Sequence, residues 1–179
     1  VGDIRVGLDA LLFGEAGGRL RLGMSAQAWV PSGEQAIYAT DGTWRALLRA
    51  LAAGDAGMLT YAGYVGVHLR RMDESSIIGA PHGSEVIAGS AVGPRFALDS
   101  NGSTTAVLGP EVWGATAFRD AFGKYASGLE ALLGIRLQHT ARDGAHTVVK
   151  AGFGEGMHTQ FGTPEWRAVF TVESNDRLE

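Results

Sequence analysis

The chain has no cysteine. Disulfides and thiolate metal sites are therefore excluded, and an exported bacterial protein can do without both. No stretch approaches the roughly 18 uncharged apolar residues of a membrane-spanning helix. Basic residues are not in excess: the net charge is −4 at pH 7, which argues against nucleic acid as a partner. Lysine is almost missing, with Lys124 and Lys150 alone, so the cations are nearly all arginine. Proline is scarce, at 5 residues. The opening Val1-Gly2-Asp3 lacks the basic and apolar regions of a signal peptide, so any leader is expected to have been removed or to lie upstream. Glycine breaks the pattern of scarcity, at 27 of 179 residues. Without a collagen period, that content fits many turns and closely packed strands. Mean hydropathy is near zero, at +0.04. Helical membrane proteins score higher, but barrel strands do not, because only half of each faces lipid.

What the chain does have is alternation. From Asp3 to Leu12, one set of alternate residues is Asp3, Arg5, Gly7 and Asp9, and the other is Ile4, Val6, Leu8, Ala10 and Leu12. Successive side chains of a strand point to opposite faces, so such a strand has one ionic or small face and one apolar face. The split recurs about nine times, over roughly 3–12, 19–30, 43–53, 58–71, 85–96, 104–114, 128–138, 145–154 and 165–173. In the second strand Leu20, Leu22, Met24, Ala26, Ala28 and Val30 oppose Arg19, Arg21, Gly23, Ser25 and Gln27. The third and seventh are ambiguous. Trp44, Leu47, Leu48 and Leu51 also form a helical stripe, and Ala, Leu and Arg are strong helix formers. Strand is favoured there by the neighbouring strands.

The connections alternate in length. Those near 14–18, 54–57, 97–103 and 139–144 are short, and Asn101-Gly102 is a strong hairpin signal. Those near 31–42, 72–84, 115–127 and 155–164 are long. Outer-membrane barrels show this asymmetry between periplasmic turns and outer loops. Trp29, Trp44, Trp113 and Trp166 fall at the long-connection ends of strands, where an aromatic girdle would place them. Strict alternation puts Trp44 and Trp166 on the apolar side, but Trp29 and Trp113 on the ionic side.

Several stretches resemble the outer-membrane β-barrel domain at the N-terminus of certain OmpA-family proteins of Gram-negative bacteria. They are Gly2-Asp3-Ile4-Arg5-Val6-Gly7, Val30-Pro31-Ser32-Gly33, Gly83-Ser84-Glu85-Val86-Ile87-Ala88-Gly89 and Leu108-Gly109-Pro110-Glu111-Val112-Trp113-Gly114. Leu129-Glu130-Ala131-Leu132-Leu133-Gly134 and Gln160-Phe161-Gly162-Thr163-Pro164-Glu165-Trp166-Arg167 complete the set. The resemblance implies a barrel that in relatives precedes acidic repeats and a peptidoglycan-binding domain. Relatives carry more barrel sequence before the segment matching Asp3, so the chain resembles the C-terminal part of a larger barrel. The acidic repeats have no counterpart here, and the anchoring role of full-length relatives is not carried over. Nine is also an odd count, whereas single-chain bacterial barrels have even numbers. A different count, a missing strand or another chain would each restore closure.

The ionic phases gather Arg5, Asp9, Arg21, Arg45, Arg49, Arg70, Arg95, Glu111, Glu130, Arg136 and Arg167. In a confined lumen these charges either pair across strands and plug it, or line a wet pore; left unpaired in a dry interior they would cost several kcal/mol each. Glu111 and Glu130 as paired hydrolytic acids are disfavoured against pairing with arginine. His68 beside Ser84 lacks a nucleophile motif. His82, His139, His146 and His158 lack metal-ligand spacing and read as surface histidines. Gly152, Gly154 and Gly156 lack the Lys-Ser/Thr ending of a phosphate loop and read as strand glycines. Asn101-Gly102-Ser103 matches a glycosylation sequon but is explained by the hairpin.

The sequence therefore predicts an all-β, antiparallel, transmembrane up-and-down β-barrel of about 8–10 visible strands over 1–173, with 174–179 as a tail or the start of a linker. It predicts a bacterial outer-membrane protein with a structural role or a passive small-solute pore, without enzyme activity, cofactor or metal. Outer-membrane lipid is the expected partner, together with another protein or chain if one completes the barrel. The alternative is a soluble β-barrel binding a small apolar ligand, with its apolar set inward and its arginines outward. A lipid-acting barrel enzyme would need a serine, a histidine and an acid converging at one rim, which the sequence does not display.

Overall fold

A computed structural model describes residues 2–15, 17–33, 42–70, 83–123, 126–141, 143–158 and 163–175. Nine strands form one sheet in the order β1 to β9, each antiparallel to its neighbours in sequence. They are β1 (Ile4–Phe13), β2 (Arg21–Val30), β3 (Arg45–Ala56), β4 (Leu59–Arg70), β5 (Glu85–Ala97), β6 (Thr104–Ala117), β7 (Ser127–Thr140), β8 (His146–His158) and β9 (Trp166–Asn175). The only helical element among the described residues is a 3-10 turn, Phe118–Asp120. The ambiguous third and seventh segments are strands, and the count is nine. The barrel predicted from the sequence is not closed: β1 pairs only with β2 and β9 only with β8.

The strands differ from the predicted spans mainly at their ends. Of the expected turn at 54–57, residues 54–56 are strand, and the reversal is the two-residue turn Gly57-Met58, with Ala56 opposite Leu59. Gly57 takes φ 64°, as a two-residue hairpin requires. Gly54 serves packing instead: a Cβ there would strike the Arg19 carbonyl and the Tyr61 hydroxyl, which donates to that same carbonyl at 2.6 Å. β6 and β8 run past their predicted ends to Ala117 and His158, shortening the third and fourth long connections. β9 reaches Asn175, two residues beyond the predicted end. In the Asn101-Gly102 turn, Ser103 donates to Asp99 at 2.5 Å, and that hydrogen bond holds the Asp99 carboxyl below its ordinary pKa. Connections 34–41, 71–82 and 159–162, with His82, lie outside the described residues.

Two features make the sheet curl. The first is stagger. Followed across the ladders, Leu8 in the middle of β1 is level with Ala26, Leu48, Val67, Val86, Thr116 and finally Ser127, the first residue of β7. The level line climbs steadily toward the long-connection end, as in sheets whose strands tilt about a barrel axis. The second is direct. A cavity of about 290 Å³ is lined by Thr60 and Ala62 of β4 together with Thr171 and Glu173 of β9. Five strand spacings on a flat sheet would separate those strands by about 24 Å. The sheet therefore wraps toward the face that carries them, and that face is concave.

The core is unusual. Among the described residues the buried apolar side chains are Ala106, Ala117, Ala126 and Leu132 only, and no large side chain is fully buried. Large apolar residues from every strand are exposed instead, including Leu8 and Phe170, both at 73%.

Candidate functional site

The register sorts the predicted residues by face. Ser25 pairs with both Asp9 and Arg49, and Arg45 pairs with both Trp29 and Arg70. Glu111 pairs with Ala91, Arg136 with Val107 and Lys150, and Glu130 with Trp113. Carried through the alternation, Arg5, Asp9, Arg21, Arg45, Arg49, Arg70, Arg95, Glu111, Glu130, Arg136 and Arg167 all share the concave face. The opposite face carries Ile4, Val6, Leu22, Met24, Leu48, Val65, Leu133, Ile135, Phe153 and Phe170.

Two ion pairs on this face join strands two apart, reaching over glycine on the strand between. Lys150 of β8 donates to Glu111 of β6 at 2.6 Å. The strand between contributes Gly134, where an added Cβ would lie 3.0 Å from the Glu111 carboxylate. Arg167 of β9 meets Glu130 of β7 at 2.7 Å across the glycines of β8. The sequence pointed to arginine as the partner of both glutamates; Glu111 in fact takes Lys150. Arg167 also lies 5.6 Å from the centroid of the Trp113 ring on β6. Both glutamates are thus engaged by cations.

The other half of the face is held by a mixture of ion pairs, hydrogen bonds and ring contacts. Arg45 of β3 pairs with Asp3 at 2.9 Å and stacks over Trp29 at 5.5 Å. Trp29 in turn meets His68, with ring centroids 5.8 Å apart. Arg49 donates to the buried Ser25 at 3.0 Å and lies over Tyr64 at 5.8 Å. Toward the short-turn end, Asp55 receives Thr60 at 2.7 Å and sits 3.4 Å from Arg95 and 3.8 Å from Arg21. Arg136 donates weakly to Gln138 at 3.4 Å. Arg5 and Asp9, on the edge strand, are exposed and carry no ion pair among the described residues.

Of the four tryptophans, Trp44 and Trp166 are exposed, at 63% and 65%, and Trp166 stacks on Phe153 of the apolar face at 6.4 Å. Trp29 and Trp113 face the charges and serve as platforms for arginine. Trp113 also lies inside β6, four residues from its end. His68 is 3.8 Å from Glu85 and 3.4 Å from the Arg70 guanidinium, while the Ser84 hydroxyl bonds the Arg70 backbone; they form no nucleophile–base pair. His139 and His146 contact threonine hydroxyls, and no cluster able to hold a metal occurs among the described residues. Asp3, Asp55, Glu85 and Lys150 were missing from the predicted charged set. Asp55 was hidden by its Gly-Asp turn signal, and the partnership of Lys150 depends on register.

The Glu111–Lys150 pair is only about one quarter exposed, so its coupling is measurable. Glu111→Gln and Lys150→Met are each expected to lower stability by about 1–2 kcal/mol, and the double variant by about 1 kcal/mol less than their sum. Urea unfolding of the four proteins checks this; strict additivity would show that the contact contributes nothing.

Comparisons of the chain with protein-family profiles, with curated proteins and with solved structures find no match.

Proposed function

We propose that this chain is the wall of a β-barrel in a bacterial outer membrane, of the OmpA-like kind that its sequence resembles. Its role is structural, with the ionic face lining a lumen largely filled by ion pairs. One observation carries the reading: the curled sheet turns its charges inward and leaves its large apolar side chains outside. A protein in water rarely exposes contiguous apolar patches beyond a few hundred Å². A bilayer removes that penalty, while strand-to-strand pairing satisfies the backbone. The soluble ligand-binding barrel needs the opposite curl, with Leu133 and Ile135 inward and Arg49 outward. The absence of long apolar helices among the described residues has no bearing on spanning by strands.

The test is reconstitution into lipid vesicles. Lipids brominated along their acyl chains are expected to quench Trp44 and Trp166 emission and spare Trp29 and Trp113, as read from single-tryptophan variants. Equal quenching of all four, or none, would end the membrane reading.

A passive pore is the second reading, favoured by the cavity of about 290 Å³ between Thr60, Glu111, Lys150 and Glu173. Planar-bilayer recording separates the two. Stable unit conductance would establish the pore, and a silent membrane holding folded protein would establish the sealed scaffold.

A further inference from the structure

We propose that the connection between β6 and β7 is a lipid anchor. Its residues 118–123 set the rings of Phe118 and Phe122 into the headgroup region of the bilayer around the wall. The anchor rests on the membrane reading above and adds to it a lipid contact outside the strands.

Phe122 is the most exposed large apolar residue described, at 86%. It is also the only non-glycine residue described with a positive φ, 65°. Left-handed backbone crowds a Cβ and is an outlier for a bulky side chain. Such a conformation persists only where its surroundings over-determine it. Here they do. The Phe122 amide donates to Thr116 Oγ1 at 2.8 Å. That hydroxyl is also hydrogen-bonded to Ser127 across the ladder, at 2.8 Å. The Gly123 amide donates to the Asp120 carbonyl at 2.9 Å, and a Cβ on Gly123 would strike the Asp120 carboxylate. Ala117 and Ala126 are buried beneath the turn, with the Ala117 amide donating to the Ala126 carbonyl. The turn is therefore built around two alanines, and it leaves both rings outside; Phe118 is 51% exposed. The backbone strain holds in place a ring that the protein itself does not bury.

The position of that ring decides what covers it. Ala117 pairs with Glu85 on the concave face, so Thr116 before it lies on the apolar face. The tether to Thr116 draws Phe122 to the apolar side of the wall and away from the lumen. On that face of β6 and β7, polar side chains pair at both ends. Thr104 meets His139 at 3.0 Å, and Thr116 meets Ser127. Between these pairs every residue of the face is apolar or glycine, over 106–114 and 129–137. That span matches the roughly 9–11 residues with which a tilted strand crosses hydrocarbon. Thr116 therefore stands at the water–lipid boundary, where the aromatic side chains of barrels gather. Phe122 is tied to that boundary residue.

The probe is Phe122→Trp in a chain whose four tryptophans are replaced by phenylalanine. It is reconstituted in phosphatidylcholine vesicles brominated near either the carbonyl end or the methyl end of the acyl chains. Carbonyl-end bromines are expected to quench the probe at least about twofold more, because an interfacial ring sits in the headgroup–acyl boundary. Quenching by neither lipid, with full quenching by aqueous iodide, places the turn in water and overturns the anchor. Equal or stronger quenching from the methyl end overturns it too. So does emission that follows the protein-to-lipid ratio and ignores the bromines, which means a second copy. Phe122→Asn, in the otherwise native chain, is the energetic arm. Asparagine tolerates positive φ, so relief of the backbone alone would raise stability. In vesicles the urea midpoint is instead expected to fall, because the ring's lipid contact is lost. An unchanged or higher midpoint overturns the anchor. Failure of the anchor with Trp44 and Trp166 still quenched leaves the membrane reading standing; loss of that quenching sinks the membrane reading.

Discussion

Leu133→Arg is expected to destabilise the folded chain in phosphatidylcholine bilayers by about 2–4 kcal/mol, the cost of a guanidinium on the lipid face at mid-depth. Leu133 is the seventh of fourteen residues of β7 and is 60% exposed. Its register partners are Pro110 and Phe153, both of the apolar face. The cost depends on depth, so Leu129→Arg, close to the end of the same strand and on the same face, is expected to cost only about 0–1 kcal/mol. Gln27→Arg supplies the opposite control. Gln27 sits on the concave face beside Gly7, where a Cβ would lie 3.2 Å from the Gln27 side chain. A cation there adds to an already ionic surface and is expected to cost less than about 1 kcal/mol. Reversible urea titration of all three variants in vesicles measures the differences. If the chain worked in water, Leu133→Arg would be an ordinary surface change, within about 0.5 kcal/mol, and the ordering of the three variants would vanish.

The faces were legible because a strand's side-chain period is a local property. Ile4, Val6 and Leu8 against Arg5, Gly7 and Asp9 needs no knowledge of partners, and the concave set of eleven charges follows from that period alone. Where propensity conflicted with period, pairing decided. Arg45–Ala56 is rich in Ala, Leu and Arg, yet Arg49 finds Ser25 on one side and Gly66 on the other, and the ladder outweighs helix preference. Register was not legible. Glu111 and Lys150 are 39 residues apart, and they meet because Gly134 lies between their strands and leaves the space open. The turn at 54–57 was misplaced for a related reason. Gly-Asp signals reversal in sequence, but Gly54 is glycine to admit the Tyr61 hydroxyl. The strand ends of β6 and β8 were cut short because Gly114, Gly154 and Gly156 interrupt the apolar alternation while still pairing. Closure depends on which edges meet, and no local pattern encodes it.

Gly109→Val is expected to destabilise the protein by about 3 kcal/mol or more, through backbone collision rather than lost conformational freedom. Gly93 of β5 and Gly109 of β6 face each other on the concave side. A Cβ on Gly109 would strike the Val92 carbonyl oxygen and come within 2.8 Å of Gly93 Cα, and a Cβ on Gly93 would strike the Leu108 carbonyl. The ladder between β5 and β6 has no paired residues from Val92 to Pro94. Pro94 and Pro110 stand beside the glycines, and proline offers no N–H to a ladder. Two strands drawn together without a continuous ladder form a corner, the device by which sheets bend sharply. Valine would force the corner open, and the curl that brings β4 and β9 to one cavity would go with it. Gly57→Ala separates the two roles of glycine. Nothing lies within 4 Å of its Cβ position, but its φ is +64°. Its cost should be about 1 kcal/mol, and Gly57→Asn should recover part of it because asparagine tolerates that conformation. Urea midpoints rank the three variants. A Gly109→Val protein as stable as Gly57→Ala would mean that β5 and β6 separate freely at this point, and that the bend of the sheet arises elsewhere.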